Sequence, residues 1–432
     1  MLLLGNLLPV GSLHPLPGMA RRRWLVLMCF VAVFVCYVDR TNISVAIIPM
    51  AHDLGWDKSV QGMVLSSFFV GYLLLQIVGG RLADRFGGKA VLTTGVLVWS
   101  LFTVLTPPAA MAGLWVLIAA RIGMGLGEAV TFPSIYSLYS RWIPLGERAR
   151  AVALTNSGIP FGSIAALVLT PLIVVWFGWP WVFYLFGALG LLWFLLWHPT
   201  IASTPQLHPH VSADERALIE RELGESTPVA LPLLAFLRLP AVWAIIICHF
   251  CNNWSLYVLM NWLPTYFTEG LGVDYAAVGW FTMIPSIASF FFLNFAGSVA
   301  DRMIRSGMPV ARVRRICQSI GFGGIATSLL VVGYVQDVWL AIAIMTVGNC
   351  IGAFVTGGFA VNHMDIAPKH AGTLMGITNT AGTIPGIIGV YVSGLILQAT
   401  GSWILVFQVA AGVTLFGLVF FLAFARGEKL ID

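Results

Sequence analysis

Charge is what this chain has least of: of its 432 residues only 9% are Asp, Glu, Lys or Arg, against 59% hydrophobic. A water-soluble domain keeps roughly a quarter of its residues charged, so a soluble globular protein is excluded and most of the chain belongs in lipid. Strand-like alternation is missing too. The apolar runs are long and unbroken, which argues against a membrane β-barrel. Cysteine is sparse, and Cys29, Cys36, Cys248, Cys251, Cys317 and Cys350 all fall in or at the ends of apolar runs, so no disulfide framework is expected. Cys248-His249-Phe250-Cys251 has redox or metal spacing, but a membrane helix supplies no second ligand pair, and the cysteines read as small apolar fillers. No metal and no cofactor are therefore expected. No basic domain exists to hold nucleic acid, the net charge of +5 reflecting topology and anionic lipid. No Ser/His pair shares a helical spacing, so an enzyme is not expected either.

What the chain does have is runs of about 20 apolar residues, the length of a spanning helix. Twelve can be placed, approximately at 24–50, 59–80, 90–107, 112–134, 149–174, 180–199, 241–267, 275–300, 312–334, 337–362, 370–398 and 402–425. The expected fold class is all-α: twelve transmembrane helices in two pseudo-symmetric six-helix bundles. The basic residues before, between and after these runs fall almost all on one side, with Lys58 on the other, and the positive-inside rule makes that side cytoplasmic. The expected organisation is a cytoplasmic N-terminal segment (1–23), a six-helix bundle (24–199), a polar cytoplasmic linker with a short amphipathic helix (200–240), a second bundle (241–425) and a cytoplasmic tail (426–432). Residues 1–18 read poorly as a signal peptide, and Met19 is an alternative start.

The two bundles look like copies of one plan. Gly80-Gly-Arg-Leu-Ala-Asp84-Arg85 follows the second run and Gly297-Ser-Val-Ala-Asp301-Arg302 follows the eighth, with the same Gly-to-Asp-Arg spacing. An Asp-Arg pair at a helix end can bind charges or helix termini of neighbouring spans. Asp84, Arg85, Asp301 and Arg302 are therefore read as gating residues.

Two acids lie deep inside apolar runs, Asp39 and Glu128, each accompanied by an arginine, Arg40 and Arg121. A charge at mid-bilayer costs a few kcal/mol or more, so such residues face a cavity, pair or change protonation, and function is the default reading. Arg121 and Glu128 are seven residues apart, on one helix face but about 10 Å apart along the axis. Asp39 and Arg40 point roughly 100° apart and cannot simply neutralise each other. Tyr37 and Ser44 share the face of Arg40, and the hydroxyl of Tyr72 in the next span could reach the same cavity. Gly123, Gly125 and Gly127 lie mid-span, where small residues let a neighbouring helix approach; that approach is expected to bring the charges of span one against those of span four. The second half carries Asn252 and Asn253 where the first carries Asp39 and Arg40. Neutral groups such as Asn252, Asn379 and Thr383 would suit a hydroxylated substrate, and Asn156 in span five joins the substrate-binding candidates.

The motif Gly80-x-Leu82-Ala-Asp84-Arg85-x-Gly87-x-Lys89 resembles the loop signature of the major facilitator superfamily. Tyr37-Val-Asp39-Arg40-Thr-Asn42-Ile-Ser, Gly55-Trp56, Ser66-Ser-Phe-Phe-Val-Gly71-Tyr72, Arg121-Ile-Gly-Met-Gly-Leu-Gly-Glu128 and Asn362-His-Met-Asp365-Ile-Ala-Pro368 look like its anion:cation symporter family. That resemblance covers all twelve spans. It implies proton-coupled uptake of a small organic anion, such as an aldonate, glucarate or hexuronate, in a bacterial inner membrane. It further implies Asp39 and Glu128 as coupling acids, aided by Arg121, and Arg40 as the anchor of the substrate carboxylate. Leu65 and Asn252 stand where glutamate carriers of the family would have a histidine and an arginine. An exchanger or facilitator of phosphate or an aromatic carboxylate is the alternative, and a transporter-like receptor a further one. The expected partners are the anion, protons and the bilayer, with the monomer as the working unit.

Overall fold

The computed structural model describes residues 19–143, 151, 154–222, 236–367 and 371–430. Residues 1–18, the basic stretch 144–150, linker residues 223–235 and Lys369 lie outside the described residues. Among those described, twelve helices are long and apolar enough to cross a membrane. Spans one to six are Arg21–Leu54, Lys58–Gln76, Gly88–Ala112, Leu114–Tyr139, Leu154–Phe177 and Trp179–Thr200. Spans seven to twelve are Pro240–Gly270, Tyr275–Arg305, Val310–Val332, Val338–His363, Leu374–Thr400 and Trp403–Phe424. The fold is all-α, as the length and continuity of the apolar runs require: in lipid each backbone polar group must be satisfied inside its own helix.

The chain divides into two compact units. One holds Met1–Asn42, Ser67–Ala166 and Ile173–Thr227; the other holds Ile43–Ser66, Leu167–Leu172 and Pro228–Asp432.

In the first unit, glycine sets the helix spacing. A Cβ on Gly125 would collide with the Phe68 carbonyl of span two, and one on Gly127 would lie 2.7 Å from the Trp99 amide nitrogen of span three. The glycines of span four thus admit spans two and three, and not span one as the sequence suggested. Span one makes its own close approach to span five, where a Cβ on Gly162 would strike the Phe34 carbonyl. The reason is positional: Gly123 and Gly127, four apart, open the face toward span three, and Gly125 opens the face toward span two.

The linker is fastened to the same unit. Its helix, Ala213–Glu222, places the Glu215 carboxylate on the first backbone amides of span one, at 3.0 Å from both Arg21 N and Arg22 N, with Arg22 Nη1 at 3.2 Å. Span one has no acid in its own first turn, so the cap that its free N–H groups and dipole need comes from a residue 194 positions away.

In the second unit span ten is broken. An α-helix ends at Gly352, a 3-10 turn covers Ala353–Gly357, and a short helix resumes over Phe359–Ile366. Broken helices at membrane depth need outside partners for the freed backbone groups, and span nine supplies them. Arg314 donates to the Gly357 carbonyl (3.2 Å) and Gln318 accepts from the Phe359 amide (3.0 Å). Arg314 also grips Asp365 with two bonds, Nε to Oδ2 at 2.7 Å and Nη2 to Oδ1 at 3.0 Å. Asn362 then donates to Asp365 (3.1 Å) and to the Arg426 carbonyl (2.8 Å), while Leu430 N donates to the Ile366 carbonyl (2.9 Å), binding the tail to this corner. The Asn362-to-Pro368 motif is, over its described residues, a clamp for a broken helix.

Candidate functional site

The intramembrane charges of the first unit converge. Span one carries Cys36, Tyr37, Asp39 and Arg40; span two brings Phe68 and Tyr72, and span four brings Arg121 and Glu128. Arg40 lies 5% exposed, Arg121 2%, Glu128 1% and Asp39 0%. The centre is an ion pair: Arg40 Nη2 donates to Glu128 Oε2 at 2.8 Å and Arg40 Nε to the same oxygen at 3.1 Å. The Cys36 thiol donates to that oxygen as well, at 3.1 Å. Glu128 Oε2 therefore takes three donors while Oε1 takes none among the described residues.

Three aromatic rings bracket Arg40. Its guanidinium carbon lies 4.7 Å from the Tyr37 centroid, 5.1 Å from Phe68 and 4.7 Å from Tyr72. Phe68 also serves Arg121, 5.5 Å away, and stacks on Tyr72 at 5.8 Å. Ring faces attract a desolvated cation by roughly 2 kcal/mol, which keeps the guanidinium oriented without neutralising it. Cys36 and Phe68 were not singled out from the sequence, because a cysteine or a phenylalanine inside an apolar run looks like packing. The one signal available was spacing, Phe68 sitting one helical turn before Tyr72 on the same face.

The sequence paired Glu128 with Arg121, and the structure corrects this. Two turns of one helix hold those residues about 10 Å apart along the axis, too far for an ion pair, whereas span one delivers Arg40 directly. Arg121 instead donates to the Met124 sulfur at 3.1 Å and attracts both acids through space. Asp39 is fully buried, and neither of its carboxylate oxygens has a hydrogen-bond partner among the described residues. Arg121 and Glu128 act on it electrostatically, and the Trp99 indole faces it.

Other candidates are placed elsewhere. Tyr37 accepts a bond from Arg40 Nη1 at 3.4 Å, whereas Asn156 lies against the Tyr136 hydroxyl. In the second unit Asn252 donates to Asn253 (3.2 Å), and Asn253 to the Gly382 carbonyl (2.8 Å). Thr383 gives its hydroxyl proton to the Asn379 carbonyl (2.9 Å). Arg85 and Arg302 are exposed. The Asp84 and Asp301 side chains lie outside the described residues.

The cluster thus holds two acids and two arginines buried among helices of the first unit. Residues 29–390 match the family description "Major Facilitator Superfamily". The chain belongs to that superfamily. Superfamily members are transporters rather than enzymes, and among this member's relatives are named anion transporters. It is 42% identical to an ascorbate transporter, chloroplastic, of Arabidopsis thaliana over 95% of this chain and 76% of that one. It is 41% identical to a sodium-dependent phosphate transport protein 1, chloroplastic, of the same plant, over 95% and 80%. Human sialin is 35% identical over 94% and 89%. Among solved structures, a D-xylose-proton symporter superposes with a TM-score of 0.75 at 15% identity, covering 93% of this chain and 97% of that one. Such an identity speaks for the fold alone. The superfamily member described here is thus a multi-pass membrane protein whose first unit carries a buried charge cluster.

Proposed function

We propose that this carrier moves a small organic anion of the sugar-acid or ascorbate type together with protons, by alternating access of its two six-helix halves. The observation that carries the reading is the Arg40–Glu128 ion pair beside Asp39, a buried acid with no ion-pair partner among the described residues. Stripping one member from a buried pair costs about 3–5 kcal/mol, because the survivor is left uncompensated. Arg40 is therefore released only when two things happen together: Glu128 takes a proton, and a substrate carboxylate replaces it on the guanidinium. Neither event is favourable alone, so proton and anion assist each other's binding, and the assistance is reciprocal. Asp39, a buried carboxyl with no ion-pair partner among the described residues, is the second site for a proton. Arg121 acts on both acids and holds the field steady while they change charge. After the halves rock, Glu128 loses its proton, recaptures Arg40 and expels the anion.

In this reading Tyr37, Tyr72 and Asn156 of the first unit bind the substrate, as do Asn252 and Asn379 of the second, and Asp84, Arg85, Asp301 and Arg302 are gating residues. The basic loops lie in the cytoplasm with both termini, the membrane is a cell inner membrane, and one chain suffices.

Uptake into proteoliposomes tests this. Labelled ascorbate, galactonate, glucarate and glucuronate are offered under an inward pH gradient, a membrane potential, both or neither. Accumulation that follows the pH gradient supports the scheme; accumulation indifferent to both gradients overturns it. Phosphate is the second reading, favoured by the phosphate transport relative, and inorganic phosphate offered with an inward sodium gradient is its arm of the same assay.

A further inference from the structure

The second unit holds a polar cluster that the ion-pair mechanism leaves unused. His249 of span seven and His363, the last residue of span ten, both reach the hydroxyl of Thr378 in span eleven. His249 Nδ1 lies 3.2 Å and His363 Nε2 2.9 Å from Thr378 Oγ1. All three are buried, at 9%, 2% and 0% exposure. The register is a ladder: His249 and Asn253, four apart on span seven, meet Thr378 and Gly382, four apart on span eleven. Gly382 provides the room, since a Cβ there would lie 2.8 Å from His249 Cδ2 and 3.0 Å from Nε2.

The hydrogen positions follow from what each partner can do. His363 Nδ1 sits 3.2 Å from the Ala360 carbonyl, which only accepts, so Nδ1 carries a hydrogen. In the neutral ring Nε2 is then an acceptor, and Thr378 donates to it while accepting from His249 Nδ1–H. The chain of bonds runs one way, from His249 through Thr378 to His363.

A second acceptor makes the chain more than a structural tie. Thr378 Oγ1 is also 3.2 Å from the Met375 carbonyl of its own helix. When His363 Nε2 bears a proton, it donates to Thr378, and the hydroxyl gives its own hydrogen to Met375, or to His249 Nδ1 once that nitrogen has lost its hydrogen. Both charge states are then fully hydrogen-bonded, which is what a buried polar network requires. A second proton would set two imidazolium ions on one hydroxyl, and like charges that close do not both form. Beyond the trio, Asp365 is occupied by Arg314. Cys248 and Cys251 share span seven with His249, and Cys251 faces the position of Gly417. Phe359 puts its ring 5.3 Å from His249. No described carboxylate faces either imidazole.

We propose that His249, Thr378 and His363 form a proton-binding relay that holds one proton between two imidazoles. A proton arrives at His249 Nε2. The Nδ1–H bond breaks as its hydrogen passes to Thr378 Oγ1, and the hydrogen already on Oγ1 passes to His363 Nε2. His249 ends neutral and His363 cationic, with no net change in the hydroxyl. The relay thus gives the second half a positive charge on demand. That transport role rests on the proton-coupled reading; the proton binding itself does not.

The two claims are tested separately. Acid titration of purified protein in weakly buffered detergent, from about pH 7.5 to 4.5, counts the protons taken up by the native chain and by H249N/H363N. The native chain is expected to take up about one more proton than the double variant. A difference near zero, or near two, overturns the shared-proton relay. In proteoliposomes carrying ascorbate, Thr378→Ser is expected to keep the native ratio of acid to neutral uptake, and Thr378→Val to reduce it several-fold. If uptake by the native protein ignores pH, the coupled reading fails while the proton count still stands or falls alone. If native uptake follows pH and Thr378→Val matches it, the relay has no part in transport.

Discussion

The guanidinium of Arg40 and the ring of Phe68 are 5.1 Å apart, and Phe68 lies against Arg121 as well. A contact of this type is worth about 0.5–2 kcal/mol, and a factor of ten in affinity corresponds to about 1.4 kcal/mol. Phe68→Ala is therefore expected to weaken anion affinity by roughly 2- to 30-fold, with Phe68→Tyr close to native. Counterflow KM measures it, and an unchanged KM in the alanine variant would reduce the ring to packing.

Glu128→Gln keeps the size of the side chain and removes the charge that, in the proposed mechanism, competes with the substrate carboxylate for Arg40. Accumulation driven by a pH gradient should fall at least about tenfold, while exchange of substrate across the bilayer without a gradient persists. Gradient-driven accumulation at the native level would show that Glu128 is not the coupling acid.

Asp39 and Arg40 adjoin in sequence yet should respond very unequally in thermal stability. Asp39→Asn breaks no described ion pair, leaves an amide oxygen toward the Trp99 indole and swaps a buried acid for a neutral group, so melting in detergent should change by less than about 1 kcal/mol. Arg40→Ala leaves Glu128 buried without its cation and should cost about 3–5 kcal/mol. Equal losses in the two variants would contradict the pairing described above.

Asp365→Asn should lower stability by about 1.5–3 kcal/mol, the range for hydrogen bonds to a charged group. It loosens Arg314 and with it the carbonyl of Gly357. A double-mutant cycle with Arg314→Gln should show strong coupling, and additive losses would argue that the clamp is idle.

The spans were legible because hydropathy needs only a run of side chains, and Asp39, Arg40, Arg121 and Glu128 stood out because each interrupts such a run. Their pairing was not legible. It depends on how spans one and four meet, and the close glycine contacts lie between other spans, Gly125 of span four on Phe68 of span two and Gly162 of span five on Phe34 of span one, which no linear spacing encodes. The break in span ten was hidden for a similar reason. Nothing near Gly358 is as disruptive as proline, and the groups that make the break affordable, Arg314 and Gln318, lie on another helix. The histidine relay was invisible because His249 and His363 are 114 residues apart and met in the sequence as unrelated residues.

Among the described residues Glu128 presents one crowded oxygen and one bare one, and under the proposed coupling this fixes an order of events. The bare oxygen can be protonated without any existing bond being surrendered first. Arrival of the proton and departure of the arginine are then successive steps, with a short-lived state in which a neutral acid still touches its old partner. Such a state discharges no gradient by itself, since nothing has yet let go, and a carrier that passes through it is protected from leaking protons when its cargo is absent.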